Sequence, residues 1–496
     1  MDKQLRIEMK TKILKYLPIA FLFIFTSCDL NMQPISEIGE GIFYKNEQEI
    51  NAAVVACYNG LQAPMEFEWM VTELRSDNSR LYNTATTSTD NTLLFDFDQA
   101  KVSATSSRVY DYWRLVYHNI ARCNTVLSPK NLNVITTPTL KNQFEGEARF
   151  IRGYHYFNLV RIFGPVFIVN ERISAEQARQ YDRSTVDEVY NFIIEDLKAA
   201  IDMLPPDYDA AQKGRVTSWA AKTLLAKVYI TLGRIDTETK NLLDDIYKNS
   251  GHKLQGTYAS VFDVNNEVND EIIFTIRYKS GGLGLGSPFG NFFAPQQSGA
   301  SVINGDGSGY NYPSSDLVSS YSAADTRKDV TFAVNYVNDR GQIIDRRYVK
   351  KYLSPVIVKG DGDKDWPILR FADVILLYAE VLNELEGVSS ALPYLNQTRI
   401  RAGLPELREI SLPNKHAMRM AIEKERRLEL AYENQRWFDL IRTKRVLEVV
   451  NSHYQTEDYY AELPGAGPLR ENSILLPIPL KEIDINPAVI TQNPGY

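Results

Sequence analysis

The sequence predicts a mainly α protein, a helical-repeat scaffold interrupted by long irregular loops and a few short strands. Three observations carry that reading. Apolar residues recur at three- and four-residue steps over long segments. Some of those segments have polar stripes too narrow for a helix with one solvated face, so their helices must be covered on most sides. Two stretches rich in Gly, Ser, Thr and Asn break the rhythm.

In chain order, the first element is a leader. Tyr16 to Ser27 is an uncharged run preceded by Lys10, Lys12 and Lys15 and followed by Cys28. It is too short to cross a bilayer, which takes about 20 residues. The order of basic, apolar and small residues is that of a secretory signal. Asp2 and Glu8 do not suit a basic leader, whereas a start at Met9, in place of Met1, gives a clean one. A cysteine directly after Thr26-Ser27 resembles a bacterial lipobox, with Phe25 where Leu is usual, so Cys28 is read as the lipidated first residue of the mature chain. Residues 1–27 are then the signal peptide and 28–42, polar and aperiodic, a tether. Losing residues 1–27 shifts the formal charge from −7 to −10.

The body is expected over 43–496 as one domain, with an N-terminal helical half to about 275 and a second half from about 276. Helices are predicted over 46–61, 108–127, 140–163, 185–203 and 216–232, then over 368–386, 391–401 and 415–447. In the segment 368–386 the polar positions Arg370, Asp373, Glu380 and Glu384 leave nearly everything between them apolar. Antiparallel helix pairs would bury such faces, although no strict 34-residue period is present. "DEIIFTIRY" and "RRYVKKYL" read as strands. Residues 64–107 and 279–315 read as long polar loops, the second carrying Phe289, Phe292, Phe293, Tyr310 and Tyr312. The closing "NSILLPIPLKEIDINPAVITQNPGY" holds four prolines and is expected to wrap the surface in extended form.

Composition and motifs exclude more than they assign. An acidic chain without a dense Lys/Arg block is no nucleic-acid binder. His118, His155, His252, His416 and His453 are scattered without metal-ligand spacing. No GxSxG elbow occurs, and "GGLGLG" lacks the spacing of a phosphate loop. Asp361, Asp363 and Asp365 begin like a calcium loop, but Trp366-Pro367 replaces the required glycine and Ala372 stands at position twelve. That excludes an EF-hand and leaves a looser calcium site against a plain acidic turn. Glu425 and Glu429 read as salt-bridged framework rather than an acid–base pair, with Glu433–Arg436 and Arg436–Asp439 as helical ion pairs. Cys57 and Cys123 read as buried free thiols.

Four stretches together resemble the SusD/RagB family of outer-membrane nutrient-binding lipoproteins. They are "EARFIRGYHYFNLVRIFGPV", "LRFADVILLYAEVLNE", "RIRAGLP" with "IEKERRLELAYENQRWFDLIR", and the proline-rich tail. The family often has proline at the place of Phe167. The resemblance implies a SusD-like, TPR-like helical scaffold and a non-catalytic protein without cofactor. It further implies a surface-exposed, lipid-anchored position at the outer membrane and capture of an oligosaccharide for a SusC-like TonB-dependent transporter. A peptide or other nutrient, as in the RagB branch, remains an alternative ligand, and a glycoside hydrolase an alternative class. Sugars stack C–H faces on aromatic rings and pair hydroxyls with polar side chains. The two irregular loops supply both, so the candidate ligand residues are Trp69, Arg75, Asp77, Asn78 and Tyr82 in the first and Phe292, Tyr310 and Tyr312 in the second.

Overall fold

The computed structural model of the chain describes residues 43–81, 89–456 and 468–496. Cys28, the leader, the tether and Tyr82 lie outside the described residues.

Helix α1 (Glu47–Asn59) begins where Asn46 turns extended and its side chain accepts the Glu49 amide, satisfying one of the orphan donors of a helix start. The expected loop 64–107 is instead largely built where it is described. It holds α2 (Gln62–Thr72), strand β1 (Ser79–Arg80) and α3 (Thr89–Asp98). Composition misled here because the polar residues of this stretch find partners inside the protein rather than water. Next come α4 (Ser107–Leu127), α5 (Pro138–Phe163), α6 (Val186–Met203) and α7 (Ser218–Thr231), close to the predicted spans. Thr185 and Glu188 form a reciprocal capping box at the start of α6. α8 (Thr237–Asn249), capped by Asp236, was not expected, since its apolar face is only Leu243, Ile246 and their neighbours. α5 packs along α4 and α6, and α7 along α6 and α8, so each helix covers the apolar face of its predecessor.

In the second half, β2 (Ile272–Ile276) pairs antiparallel with β6 (Trp366–Arg370). Between them lie the short helix α9 (Phe289–Phe293), strand β3 (Tyr312–Pro313) and the hairpin of β4 (Phe332–Val337) and β5 (Ile343–Val349). Helices α10 (Phe371–Leu385), α11 (Val388–Arg401) and α12 (Lys415–Glu429) then pack on one another, and α10 also on α8. Arg370 therefore ends a strand rather than lying within a helix.

The helix expected over 415–447 is three: α12, α13 (Arg436–Arg442) and α14 (Val446–Thr456). Tyr432, Asn434 and Lys444 adopt positive φ of 65°, 60° and 60° and break it. The two helical ion pairs expected around Arg436 do not form, because each residue takes another partner. Glu433 receives Arg370 at 2.7 Å and Lys351 at 2.9 Å, Arg436 turns to Asp77, and Asp439 takes Arg426 and Arg442, each at 2.9 Å.

The tail crosses the end of α5. The Leu476 amide donates to the Ile162 carbonyl at 2.8 Å, and the Asn493 side chain donates to the Phe163 and Leu476 carbonyls. It is extended apart from short turns and one helical turn, Leu480–Ile483. Leu476, Ile478 and Ile490 bury against one hydrophobic core that runs from Ile50 through both halves. Cys57 and Cys123 are free and buried in it.

Candidate functional site

The two irregular stretches meet through strand pairing. β1 lies antiparallel to β3, with Ser79 opposite Pro313 and Arg80 opposite Tyr312. Side chains lock the junction. Ser79 donates to Asn311 Oδ1 at 2.5 Å, and the Ser314 hydroxyl donates to the Asp77 carbonyl at 2.8 Å. The second stretch closes on itself through backbone bonds from Gly309 to Ala294 and from Tyr310 to Phe292, at 2.8 and 2.9 Å. Gly307 permits that closure, since a Cβ there would stand 2.1 Å from the Ala294 carbonyl oxygen.

An aromatic column rises through this junction. Trp366 stacks on Tyr352 at 4.2 Å and meets Phe289 at 4.5 Å. Phe293 contacts Phe289 and meets Trp69 edge-on at 5.4 Å. Trp69 stacks on Tyr310 at 5.8 Å with 17° between planes, and Phe292 sits 5.9 Å from Tyr310. Phe292 and Tyr310 are half-buried and form its outer end. Beside them opens a small depression lined by Phe95, Gln296, Tyr310, Tyr312, Arg346 and Arg347, among others. Its base is rigid because each ring is held by another deeper in the core.

Most of the sequence-predicted ligand residues stand behind this surface rather than on it. Trp69, Arg75, Asp77 and Asn78 are at most 2% exposed, and Tyr312 is 8% exposed. Arg75 donates to the Ser473 and Ile474 carbonyls and stacks on Trp437 at 4.1 Å. Both Asp77 oxygens accept from Arg436, at 2.8 and 2.9 Å, and Arg427 adds a third contact at 3.0 Å. Asn78 accepts from Arg427 through its side chain and from Tyr432 through its carbonyl. These four residues are thus framework, a correction to their reading as an exposed platform. The tail holds Arg75; Arg427 of α12, Arg436 of α13 and Tyr432 between them hold Asp77 and Asn78; and Trp69 is held by the rings of Phe293 and Tyr310. Tyr310 and Tyr312 line the depression, and half-buried Phe292 lies against Tyr310. Sequence reasoning missed Phe95, Gln296, Arg346 and Arg347. The signal available for the last two was a pair of arginines beside an aromatic residue on a strand of an acidic chain.

Glu425 and Glu429 are buried in an arginine network. Arg327 reaches Glu425 at 2.6 Å and Glu429 at 3.2 Å, and Glu429 also takes Arg401 at 2.5 Å and Arg370 at 3.1 Å. Burial alone would raise the Glu429 carboxyl, but Arg401, Arg370 and Arg327 hold it far below the usual carboxylate range. A group so fixed in its charge is no proton shuttle. The acidic turn is likewise occupied by the chain itself. Asp361 accepts the Gly281 and Gly282 amides, Asp363 the Ser280 amide and hydroxyl, and Asp365 the Tyr278 amide. The three carboxylates point at the 278–282 backbone and do not gather around a common point. Among the described residues no cluster of three or more His, Cys, Asp or Glu could hold a metal.

Two family models match the chain. One, described as the SusD family, covers residues 340–496. The other, described as starch-binding and associating with the outer membrane, covers residues 32–230. A SusD-like protein of Formosa agariphila is 28% identical over 96% of this chain and 99% of its own. Among solved structures, a laminarin-binding SusD-like protein superposes with a TM-score of 0.76 at 25% identity, over 91% of this chain and all of that one. The surface glycan-binding protein A of Bacteroides thetaiotaomicron, solved with laminarihexaose, superposes with a TM-score of 0.77 at 21% identity, over 90% and 99% of the two chains. At that identity the likeness shows the fold alone.

Proposed function

The chain belongs to the SusD family of glycan-binding, non-catalytic proteins associated with the outer membrane, and from that premise we propose that it captures an oligosaccharide at the Tyr310–Tyr312 depression. The observation that carries the assignment to this face is half-buried Tyr310 stacked on buried Trp69, with Phe292 tilted against it. A ring held from behind offers its outer face to a sugar without losing side-chain freedom on binding. The bound glycan passes to a SusC-like TonB-dependent transporter. Lipid on Cys28 holds the body at the cell surface, and residues 28–42 set its reach.

Titration calorimetry of the mature chain against a panel of oligosaccharides tests the ligand. Tyr310→Ala should lower affinity by about 1–3 kcal/mol, the range of a stacked aromatic contact, without moving the melting temperature by more than a few degrees. Binding of peptides in place of glycans, or glycan binding untouched by Tyr310→Ala, would overturn the assignment. Co-purification with the outer-membrane transporter, lost on Cys28→Ala, tests the anchor and the partner.

A further inference from the structure

The chain is acidic, with a formal charge of −7, yet no carboxylate is among the described residues that line the depression, whereas Arg346 and Arg347 are. Arg347 sits on β5 with its guanidinium carbon 4.7 Å from the centre of the Tyr312 ring, and Arg80 approaches the same ring at 6.0 Å. Arg347 Nη1 donates to the Ser315 hydroxyl at 2.9 Å. Among the described residues no carboxylate comes within ion-pair distance of it. The buried arginines behave otherwise: Arg327, Arg370, Arg401, Arg426, Arg436 and Arg442 each hold one or more carboxylates at 2.5–2.9 Å. Arg347 is half-buried, oriented by a ring and a hydroxyl, and open to the depression. A guanidinium stacked on an aromatic face keeps its N–H edge free, and that edge matches the two oxygens of a carboxylate or sulfate.

Resting on the glycan reading above, we infer that this site takes an anionic glycan, whose hexuronate carboxylate or sulfate ester is read by Arg347. Tyr310 then stacks against a sugar ring of the same chain. The charge sets which glycan is kept, and the aromatic face supplies contact common to all.

The test is calorimetry of the full mature chain with three oligosaccharide sets of matched length: oligogalacturonides, sulfated galactans and neutral laminari-oligosaccharides. An anionic set should bind about tenfold or more tighter than the neutral one, the size of a charge-assisted hydrogen bond, and lose affinity as salt rises. Arg347→Gln should remove most of that preference and flatten the salt dependence, and Arg347→Lys should restore part of it. Carboxyl reduction or desulfation of the preferred ligand tells a uronate from a sulfate ester. Equal binding of neutral and anionic sets, unmoved by Arg347→Gln but lost in Tyr310→Ala, would overturn the inference and leave the glycan reading standing. A folded protein that binds no glycan of any charge would overturn the glycan reading itself.

Discussion

Asp77→Asn separates framework from ligand contact. The substitution keeps the side chain's shape and removes its charge. In the folded protein Asp77 receives both arms of Arg436 and one of Arg427 at 2.8–3.0 Å and is nearly inaccessible. Burial alone would raise its carboxyl, but Arg427 and Arg436 hold it far below the usual carboxylate range. Removing one partner of a buried ion pair costs about 3–5 kcal/mol, because the remaining charge is left uncompensated. Here Arg427 keeps Asp316 at 2.6 Å and Arg436 keeps Glu423 at 3.3 Å, which places the expected loss at the lower end, about 3 kcal/mol. The amide nitrogen of Asn would face a guanidinium and cannot replace the lost acceptor. For a depressed carboxyl, the stability is present above its unfolded pKa of about 3.9 and lost as pH falls through the folded value. The gap between wild type and variant should therefore be full at pH 7, hold down to about pH 4 and narrow below that. Thermal and denaturant unfolding across pH measures it, with glycan affinity measured alongside on the folded variant. A variant that melts like wild type but no longer binds glycan would refute the argument and make Asp77 a ligand contact.

Other outcomes follow from the same geometry. Burial raises the Glu68 carboxyl to about 7, so its contribution to stability is present below its unfolded pKa of about 4.5 and lost as pH rises through about 7. Glu68→Gln, which keeps an acceptor for Tyr154 and Asn158, should match wild type at pH 5 and gain on the order of 2–3 kcal/mol at pH 8. A gap independent of pH would sink that account. Glu73, also raised to about 7 by burial, keeps some pH dependence in the variant. Trp69→Ala should destabilise by about 3–5 kcal/mol and weaken glycan binding indirectly by releasing Tyr310, whereas Trp69→Phe should keep most of both; equal loss in the two variants would argue that Trp69 touches ligand. Millimolar calcium should leave the melting temperature unchanged, because Asp361, Asp363 and Asp365 are spent on the 278–282 backbone. A calcium-dependent rise abolished by Asp361→Asn would reverse that view.

The long periodic helices were legible in the sequence because their apolar spacing is a local property: α4 to α7, α10 and α11 stand within a few residues of their predicted spans. The break of the 415–447 segment was not, since Tyr432 and Asn434 adopt positive φ to bring Tyr432 beneath Asn78 and to set the Asn434 amide on Glu73. Those partners are more than 350 residues away in the chain. The candidate site was legible in part for the same reason. Aromatics on a Gly- and Ser-rich stretch pointed to Phe292, Tyr310 and Tyr312, but polar residues in a polar stretch gave no sign that Arg75, Asp77 and Asn78 face inward.

By itself, the sequence determined the helical class, most helix spans, the acidic charge, a leader-like N-terminal pattern ending at Cys28 and the motifs of the SusD family. These follow from residue type, periodicity and motif order, which need no knowledge of what lies across the fold. Only the tertiary structure decided which polar residues are framework, which carboxylates are committed to arginines or backbone amides, and which arginine faces the depression. Whether a charge is partnered depends on what the fold places beside it, and at this site that neighbour is delivered by the pairing of β1 with β3 across some 230 residues of chain.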